Sequence, residues 1–360
     1  MFVLSKGVVM SKKNSVASKR RRQRNRRLMQ RGLLSFNRFE DRRMLATFTV
    51  NSNADFGAGT LRDAIAVANA TPGADEIVFA SSVTGAINTN SELPTITEDL
   101  TISGPGQDVL AIDANQQSRV INVEGSSVDL TINDLTLRNG RTTGDGSFLD
   151  DTFNGGGIRF DSSGSLTLND SAVTGNRTEG VGARGGGIDV NGDLTLINTE
   201  VSGNSTEGIG ARGGGINARG SVTLIDSVVS GNSTAGRGAQ GGGITNAGFG
   251  DVVLTNSTVS GNSTAGYSAR GGGIYSLNDD VFLTNSTVSG NSTTGDEADG
   301  GGILFGTGAL TLTNSTVSGN STTGDAAEGG GIYATNDLFL TNSTVSGNST
   351  GGDELSLIHI

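Results

Sequence analysis

The sequence predicts an all-β fold: a right-handed parallel β-helix, or solenoid, with a capping helix near its N-terminus. The first observation is a unit of 28–30 residues that recurs seven times, opening each time with three glycines and an isoleucine. A fixed period of this size is typical of stacked repeat architectures. The second is the segment LTLTNSTVSGN, whose alternation has the period of a strand. The third is composition, since 58 glycines with only 3 prolines favour tight turns over a disordered linker.

Charge is divided unevenly along the chain. Of its 25 lysines and arginines, 14 lie in residues 1–46, beside only two acids. Residues 47–360 therefore hold 11 basic and 34 acidic side chains, a net charge of −23. Such an acidic body repels phosphates, so we expect no nucleic acid partner for it. No apolar run approaches the about 20 residues of a membrane-spanning helix, and the absence of cysteine excludes disulfides and thiolate metal sites.

Residues 1–46 form a basic leader, which we expect to be disordered and to direct export. A disordered arm for nucleic acid is the alternative interpretation of such a charge run. The abrupt change in composition after Ala46 favours export, although the leader lacks the apolar core of a standard signal peptide. The block FEDRRMLA, residues 39–46, resembles the leader of large secreted planctomycete proteins. That resemblance implies a protein that is secreted or associated with the cell surface or outer membrane.

Residues 47–106 form an N-terminal capping module. Thr60 has the position of a helix cap, and Leu61 and Ile65 share one face of the helix that follows. A short amphipathic helix of this kind covers the exposed end of a strand stack. The segment GTLRDAIAVANA resembles the helix of CSLREA-type modules, which precede β-helix domains in secreted bacterial proteins, but it lacks their cysteine.

Residues 107–154 form irregular first rungs, and their longest loop contains Asp145, Asp150 and Asp151. Carboxylates are ligands that calcium prefers, so a calcium site is the functional interpretation. A solvated acidic turn is the other, because the spacing follows no regular ligand pattern, and we expect no other cofactor. Together with Arg159, these aspartates form the one irregular charged cluster. They are therefore the candidate catalytic residues if the chain is a polysaccharide lyase or a glycoside hydrolase, which needs paired carboxylates.

Residues 155–353 contain the seven repeats. We expect three short strands in each repeat, all pointing aliphatic side chains into the coil, because one coil buries its apolar side only by stacking on its neighbours. A leucine and a valine of the alternating segment supply part of this core. The opening isoleucines supply the rest, and among them are Ile188, Ile216, Ile244, Ile274, Ile303 and Ile332.

Two asparagines recur in the repeats. Identical asparagines stacked at strand spacing are expected to form hydrogen-bonded ladders, and asparagine tolerates the left-handed backbone of a turn. The alternative is N-glycosylation, because Asn-Ser-Thr is an acceptor sequence. The Gly-Asn set comprises Asn204, Asn232, Asn262, Asn291, Asn320 and Asn348. The Thr-Asn-Ser-Thr set comprises Asn256, Asn285, Asn314 and Asn342.

The variable residues lie between each GNST and the next GGG, with arginines in the early copies and acids in the later ones. Variable loops on one side of a solenoid often form its binding face, and a solvated edge is the alternative. The GGGI and VSGN signatures of residues 155–350 resemble the repeats of chlamydial polymorphic outer-membrane proteins, with valine in place of phenylalanine. That resemblance implies a surface-exposed, adhesin-like β-helix but indicates no particular binding partner. Surface glycans or other cell-surface proteins are the partners we expect.

Residues 354–360 break the repeat, and LSLIHI has the form of a translated sequencing adapter. We interpret them as an artefactual tail at a truncation point, which makes the chain a fragment, and we assign no role to His359. The sequence as a whole predicts a secreted or cell-surface structural or adhesive β-helix, a monomeric rod without catalytic activity in this fragment. The alternative is a carbohydrate-active β-helix.

Overall fold

The computed structural model describes residues 45–144 and 151–351, which wind into a parallel β-helix of four sheets, here named A to D. All neighbouring strands within these sheets are parallel, and successive strands of a sheet come from successive turns of the chain. The predicted all-β solenoid is therefore confirmed. Most of the basic leader, the loop residues Asp145 and Asp150, and the tail at 354–360 lie outside the described ranges. Within those ranges, no helix is long and apolar enough to cross a membrane.

Sheets A and B form two adjacent sides of the coil. Sheet A contains β1 Thr47–Val50, β2 Asp75–Phe79, β4 Leu100–Ser103, β7 Leu130–Asn133, β11 Ser165–Asn169, β15 Asp193–Ile197, β19 Val222–Ile225, β23 Val252–Thr255, β27 Val281–Thr284, β31 Leu310–Thr313 and β35 Leu338–Thr341. Sheet B contains β3 Gly85–Asn88, β5 Leu110–Asp113, β8 Thr136–Arg138, β12 Ala172–Thr174, β16 Glu200–Ser202, β20 Val228–Ser230, β24 Thr258–Ser260, β28 Thr287–Ser289, β32 Thr316–Ser318 and β36 Thr344–Ser346.

Sheets C and D complete each turn. Sheet C contains β6 Ile121–Glu124, β10 Ile158–Asp161, β14 Ile188–Val190, β18 Ile216–Ala218, β22 Ile244–Asn246, β26 Ile274–Ser276, β30 Ile303–Phe305 and β34 Ile332–Ala334. Sheet D contains β9 Arg141–Thr143, β13 Arg177–Glu179, β17 Ser205–Glu207, β21 Ser233–Ala235, β25 Ser263–Ala265, β29 Ser292–Thr294, β33 Ser321–Thr323 and β37 Ser349–Thr350.

The one helix of the described residues, α1 (Leu61–Ala70), packs on β1 and β2 at the N-terminal end. The hydroxyl of Thr60 accepts a hydrogen bond from the backbone N–H of Asp63, and the Asp63 carboxylate accepts one from the N–H of Gly59. The first bond satisfies a donor that a helix start otherwise leaves free, and the second joins the residue before the cap to the first turn of the helix. Leu61 and Ile65 are fully buried against the first strands. The predicted capping helix is thus present at the predicted place.

The interior differs from expectation in one respect, because each repeat has four strands and not three. The isoleucines of sheet C, two aliphatic residues of sheet A and a valine of sheet B fill the core. The additional strand belongs to sheet D, where the inward residue is a threonine such as Thr264, which is fully buried. Its hydroxyl donates to the carbonyl of Gly271 at 3.1 Å. The hydrophobic pattern missed this strand because its single inward side chain is not aliphatic.

The Gly-Asn asparagines form a continuous ladder inside the coil, at the corner between sheets B and D. The Oδ1 of Asn262 accepts from the backbone N–H of Asn232 at 3.0 Å and from its side-chain amide at 2.9 Å. The Nδ2 of Asn262 donates to the Val229 carbonyl at 3.0 Å and to the Oδ1 of Asn291 at 2.9 Å. Asn262 is fully buried, so these bonds satisfy polar groups that water does not reach. The same pattern links every turn from Asn176 to Asn348.

The Thr-Asn-Ser-Thr asparagines form a second row on the outside, at the corner between sheets A and B. Asn256 and its equivalents have φ near +50°, the left-handed conformation that asparagine tolerates. The Nδ2 of Asn285 donates to the Oδ1 of Asn256 at 3.2 Å, and Asn314 donates in the same way to Asn285. All of these side chains are exposed, so water competes for each bond.

The GGG runs bring the backbone close to the neighbouring turns. A Cβ atom on Gly272 would overlap the carbonyl oxygens of Ser292 and Gly301. The preceding glycine, Gly271, has φ +63°. The first glycine of the triplet is therefore required for its left-handed backbone, and the second is required because no side chain fits there.

The two rows of asparagines predict very different mutational costs. Asn262→Ala leaves the backbone and side-chain amides of Asn232 without an acceptor inside the coil, and we expect the free energy of unfolding to fall by about 3 kcal/mol or more. Chemical denaturation followed by circular dichroism measures the loss.

The matched control is Asn256→Gly, which preserves the left-handed backbone and removes only exposed hydrogen bonds. We expect it to cost less than about 1 kcal/mol. Similar losses from the two substitutions would contradict the assignment of the inner ladder as the stabilising one.

Candidate functional site on the outer face of sheet C

The outer face of sheet C carries the most unusual set of polar side chains in the described structure. In each of its strands the first and third residues point inward, so the middle residue points outward. These middle residues stack in register, and all except Tyr333 are buried. From the N-terminal end they are Asn122, Arg159, Asp189, Asn217, Thr245, Tyr275, Leu304 and Tyr333.

Arg159, a candidate from the sequence, lies at the centre of an ion-pair network. Its guanidinium donates to Glu124 at 2.7 Å and to Asp161 at 2.7 Å, and it contacts the Oδ1 of Asn122 at 3.2 Å. Asp151 lies 3.9 Å away and its side chain is about half exposed. The structure therefore brings Arg159 and Asp151 together. In return, Arg159 and Asn122 together hold the pKa of Glu124 below its ordinary value.

A second buried arginine, Arg119, fastens the irregular loop to the first turns. Its Nε donates to the carbonyls of Asn154 and Gly155 at 3.0 and 2.9 Å, and its guanidinium also bonds the carbonyl of Thr152. The remaining nitrogen forms an ion pair with Glu92 at 2.5 Å. Burial lowers the pKa of Arg119, and Glu92 opposes that shift. These bonds make Arg119 an anchor for the chain on either side of Asn154.

Asp189 is the one fully enclosed carboxyl of the face. Burial raises its pKa, while Arg219, the amide of Asn217, Arg184 and Arg159 act in the opposite direction. The Asn217 amide donates to its Oδ1 at 2.6 Å. A carboxyl with a raised pKa is a recognised candidate for a general acid. Only 5% of Asp189 is exposed, however, so a glycosidic oxygen cannot reach it in this arrangement.

The two buried arginines of the cluster are chemically satisfied, because Arg159 is already bonded to Glu124 and Asp161, and Arg119 to Glu92. Asn191 continues the network by donating to Asp161 at 2.5 Å and by accepting from Arg219. Among the residues that the structure describes, no three carboxylate or imidazole side chains gather closely enough to hold a metal ion. The calcium interpretation of Asp145 and Asp150 falls on residues outside the described ranges.

Sequence reasoning found Arg159 but missed Arg119, Asp189 and Arg219. A usable signal was present for Asp189: the residue after each opening isoleucine is outward-facing in a strand, and an acid there meets its neighbours in register. Arg119 lies in an irregular turn, and no repeat position marks it.

The C-terminal half of the face has a different character. Here Tyr275, Leu304 and Tyr333 are bordered by Asp299 and Glu328, which lie one residue before the GGG runs. Burial raises the pKa of Asp299 to about 6, the nearby Glu328 adds to the shift, and Arg270 opposes it. Burial raises the pKa of Tyr333, and the carboxylates of Asp299 and Glu328 raise it further.

The raised pKa of Asp299 predicts a pH-dependent stability. The folded protein holds this proton up to about pH 6, whereas an unfolded aspartate releases it near 3.8, so ionisation destabilises the fold increasingly as the pH rises between these values. Asp299→Asn removes that cost. Because the carboxyl is only about half buried, solvent limits the effect, and we expect Tm at pH 7.5 to rise by about 2–4 °C.

Thermal unfolding of the two proteins in dilute solution, followed by circular dichroism, measures the difference, which should vanish near pH 4. The control is Asp325→Asn, an exposed acid of the next turn. A gain for Asp299→Asn that is as large at pH 4 as at pH 7.5 would exclude ionisation as its cause.

The chain has partial similarity to known proteins. A solved structure, ORF18 of Geobacillus virus E2, is similar at 13% identity with a TM-score of 0.34; the match covers 83% of this chain and 60% of that chain. No curated protein matches the sequence. The family model described as "Right handed beta helix region" matches residues 156–356, more than half of the chain. The parallel coil described above has the handedness predicted from the sequence, and the chain belongs to the right-handed β-helix family.

Proposed function

We propose that this protein is a secreted or cell-surface β-helix that acts as a rigid structural or adhesive rod, and that it binds through the variable segments of its repeats. These segments are named the loop column and comprise residues 180–184, 208–212, 236–240, 266–270, 295–299 and 324–328. Surface glycans and other cell-surface proteins are the partner classes of the proposal.

The observation that carries the proposal is the order within the loop column. Each segment hydrogen-bonds to the next: the N–H of Gly210 donates to the carbonyl of Arg237 at 2.9 Å, and that of Gly238 donates to Tyr267 at 2.9 Å. A buried alanine in every segment, such as Ala239, anchors it to the coil. The segments therefore hold side chains in fixed rows, which lowers the entropy lost on binding.

The exposed side chains of the loop column suit binding to another surface. Ile209 is 53% exposed and Tyr267 is 44% exposed, although large apolar side chains normally lie inside. Tyr267 also stacks under the guanidinium of Arg237, at 5.4 Å. Tyrosine and arginine are the residue types that most often dominate binding energy. The core and ladder positions, in contrast, vary little between repeats.

The ionised cluster around Arg159 fits a structural role better than catalysis. Its arginines are bonded to carboxylates of the same chain, and Asp189 is closed to solvent. The charged groups join the irregular turns to the first regular ones. The carbohydrate-active alternative places turnover beside Asp151, the exposed acid of the cluster.

Export predicts a simple dependence on the leader. In the source organism, the full chain should either be digested when protease is added to intact cells or be present in the medium. Deletion of residues 1–46 should leave the protein inside and protected. Protection of the full chain in intact cells, with none in the medium, would contradict a secreted or surface location.

Binding through the loop column predicts the effect of two exposed residues. The double substitution Ile209→Ser/Tyr267→Ser should weaken adhesion of the full chain to intact cells or to a glycan array at least about tenfold, because such contacts dominate interfaces. Its unfolding midpoint should be unchanged. The control is Phe249→Ser, which removes an apolar side chain that is 89% exposed outside the loop column.

Equal loss of adhesion in the control and the double variant would argue against the loop column as the binding surface. Turnover of pectin, alginate or a sulfated polysaccharide by the full chain, lost on Asp151→Asn, would favour the carbohydrate-active alternative.

A further inference from the structure

One line of the loop column carries charges in an ordered sequence. The residue before each GGG run forms an isolated parallel β-bridge with its equivalent in the next turn, so six of these residues stack in register. We name them the ridge row. In order along the rod they are Arg184, Arg212, Gln240, Arg270, Asp299 and Glu328.

The charged residues of the ridge row form no close ion pairs within the described part of the rod. In the described part of the chain, none of the six residues has an oppositely charged group within 4.0 Å. Three arginines occupy the first four places and two acids occupy the last two. Beyond Arg270 the chain contains no further lysine or arginine. The row is therefore positive at one end and negative at the other.

Such a row is complementary to itself when a second copy lies antiparallel to it. With the twofold axis between Gln240 and Arg270, Arg184 faces Glu328 of the other copy, and Arg212 faces Asp299. Gln240, which is uncharged, then faces Arg270. Both copies have the same rung spacing of about 4.8 Å, so the pairs stay aligned along the whole row.

Neighbouring registers are less complementary. A shift by one rung in one direction places Arg212 opposite Arg270 on each side of the centre, and a shift in the other places Arg270 opposite itself at the centre. Each shifted register therefore contains a repulsive arginine pair and only one of the two kinds of arginine–acid pair that a register can hold. In the favoured register, Arg237 faces Tyr267 of the other copy, and these two residue types already stack on each other within one chain.

We infer that the ridge row is an interface for a second copy of this chain, paired antiparallel about a twofold axis between Gln240 and Arg270. The contact is isologous, so every pair occurs twice. This inference does not require a cell-surface location or a glycan ligand, and it replaces the expectation of a monomeric rod. Arg270 is exposed and the other five residues of the row are partly exposed, so solvent ions reach the paired charges and association is reversible and sensitive to salt.

Sedimentation velocity of the full chain tests the inference. Dimers should form with increasing concentration in about 0.01 M salt, where the Debye length is about 30 Å, and should dissociate in about 1 M salt, where it is about 3 Å. The variants Arg184→Glu/Arg212→Glu and Asp299→Arg/Glu328→Arg should each dimerise at least about tenfold more weakly, since like charges then face each other.

An equimolar mixture of these two variants should restore the dimer, because the reversed charges again face opposite ones. The control Asp108→Arg/Glu200→Arg reverses two exposed acids away from the ridge row and should leave dimerisation unchanged. The same set of variants also excludes pairing of the basic leader with the acidic rod, because that pairing would survive Arg184→Glu/Arg212→Glu, which adds acids to the rod.

The orientation of the two copies can be tested separately by disulfide formation, because the chain contains no cysteine that would interfere. A mixture of Gln240→Cys and Arg270→Cys chains should form a mixed disulfide in mild oxidant faster than either variant alone. A chain that is monomeric at every salt concentration would overturn the inference, as would a dimer indifferent to both charge reversals. Binding of an anionic polysaccharide to a monomer through Arg184 and Arg212 would assign the row to a glycan instead.

Discussion

The buried asparagine ladder is the interaction on which the rest of the rod depends. At the corner between sheets B and D the backbone turns inside the coil, where its polar groups have no water to bond. The amide of Asn262 satisfies them, but only because Asn232 and Asn291 hold the same position in the adjacent turns. The ladder thereby fixes the register between turns, and a slip by one residue would expose the core and break every amide bond at once. The near-identity of the repeats is thus a physical requirement, since each turn is the binding partner of the next.

The sequence was sufficient for those parts of the fold that the period determines. A repeat length near 29 residues implies one turn of the coil, and the isoleucines, leucines and valines at fixed offsets imply its core. Helix α1 followed from a cap at Thr60 and an apolar face. The fourth strand was missed because Thr264 carries the inward position without an aliphatic side chain. The sequence left two interpretations of the loop column open, a binding face and a solvated edge, and it did not indicate the order that bonds such as Gly210 to Arg237 give to these segments.

The charged cluster was only partly predictable, for a related reason. Arg159 was recognised as irregular, but its partner Glu124 lies 35 residues earlier, in a turn whose length departs from the repeat. Which residues of irregular turns stack on each other depends on where extra residues loop out, and no periodic signal specifies that. The outcome is a division along sheet C. Its N-terminal half is closed by internal ion pairs, and its C-terminal half is bordered by Asp299 and Glu328, which form no ion pair within the described structure.

The copying of one interface from turn to turn also determines how such a protein can change in evolution. Removing or duplicating a whole unit between Ile216 and Ile274 joins surfaces that already fit, because Asn232 and Asn262 occupy equivalent places. The gene encoding it contains near-identical segments, which are substrates for unequal recombination. Unequal recombination can therefore change the length of the molecule in whole steps of about 4.8 Å. None of the resulting lengths requires a new core.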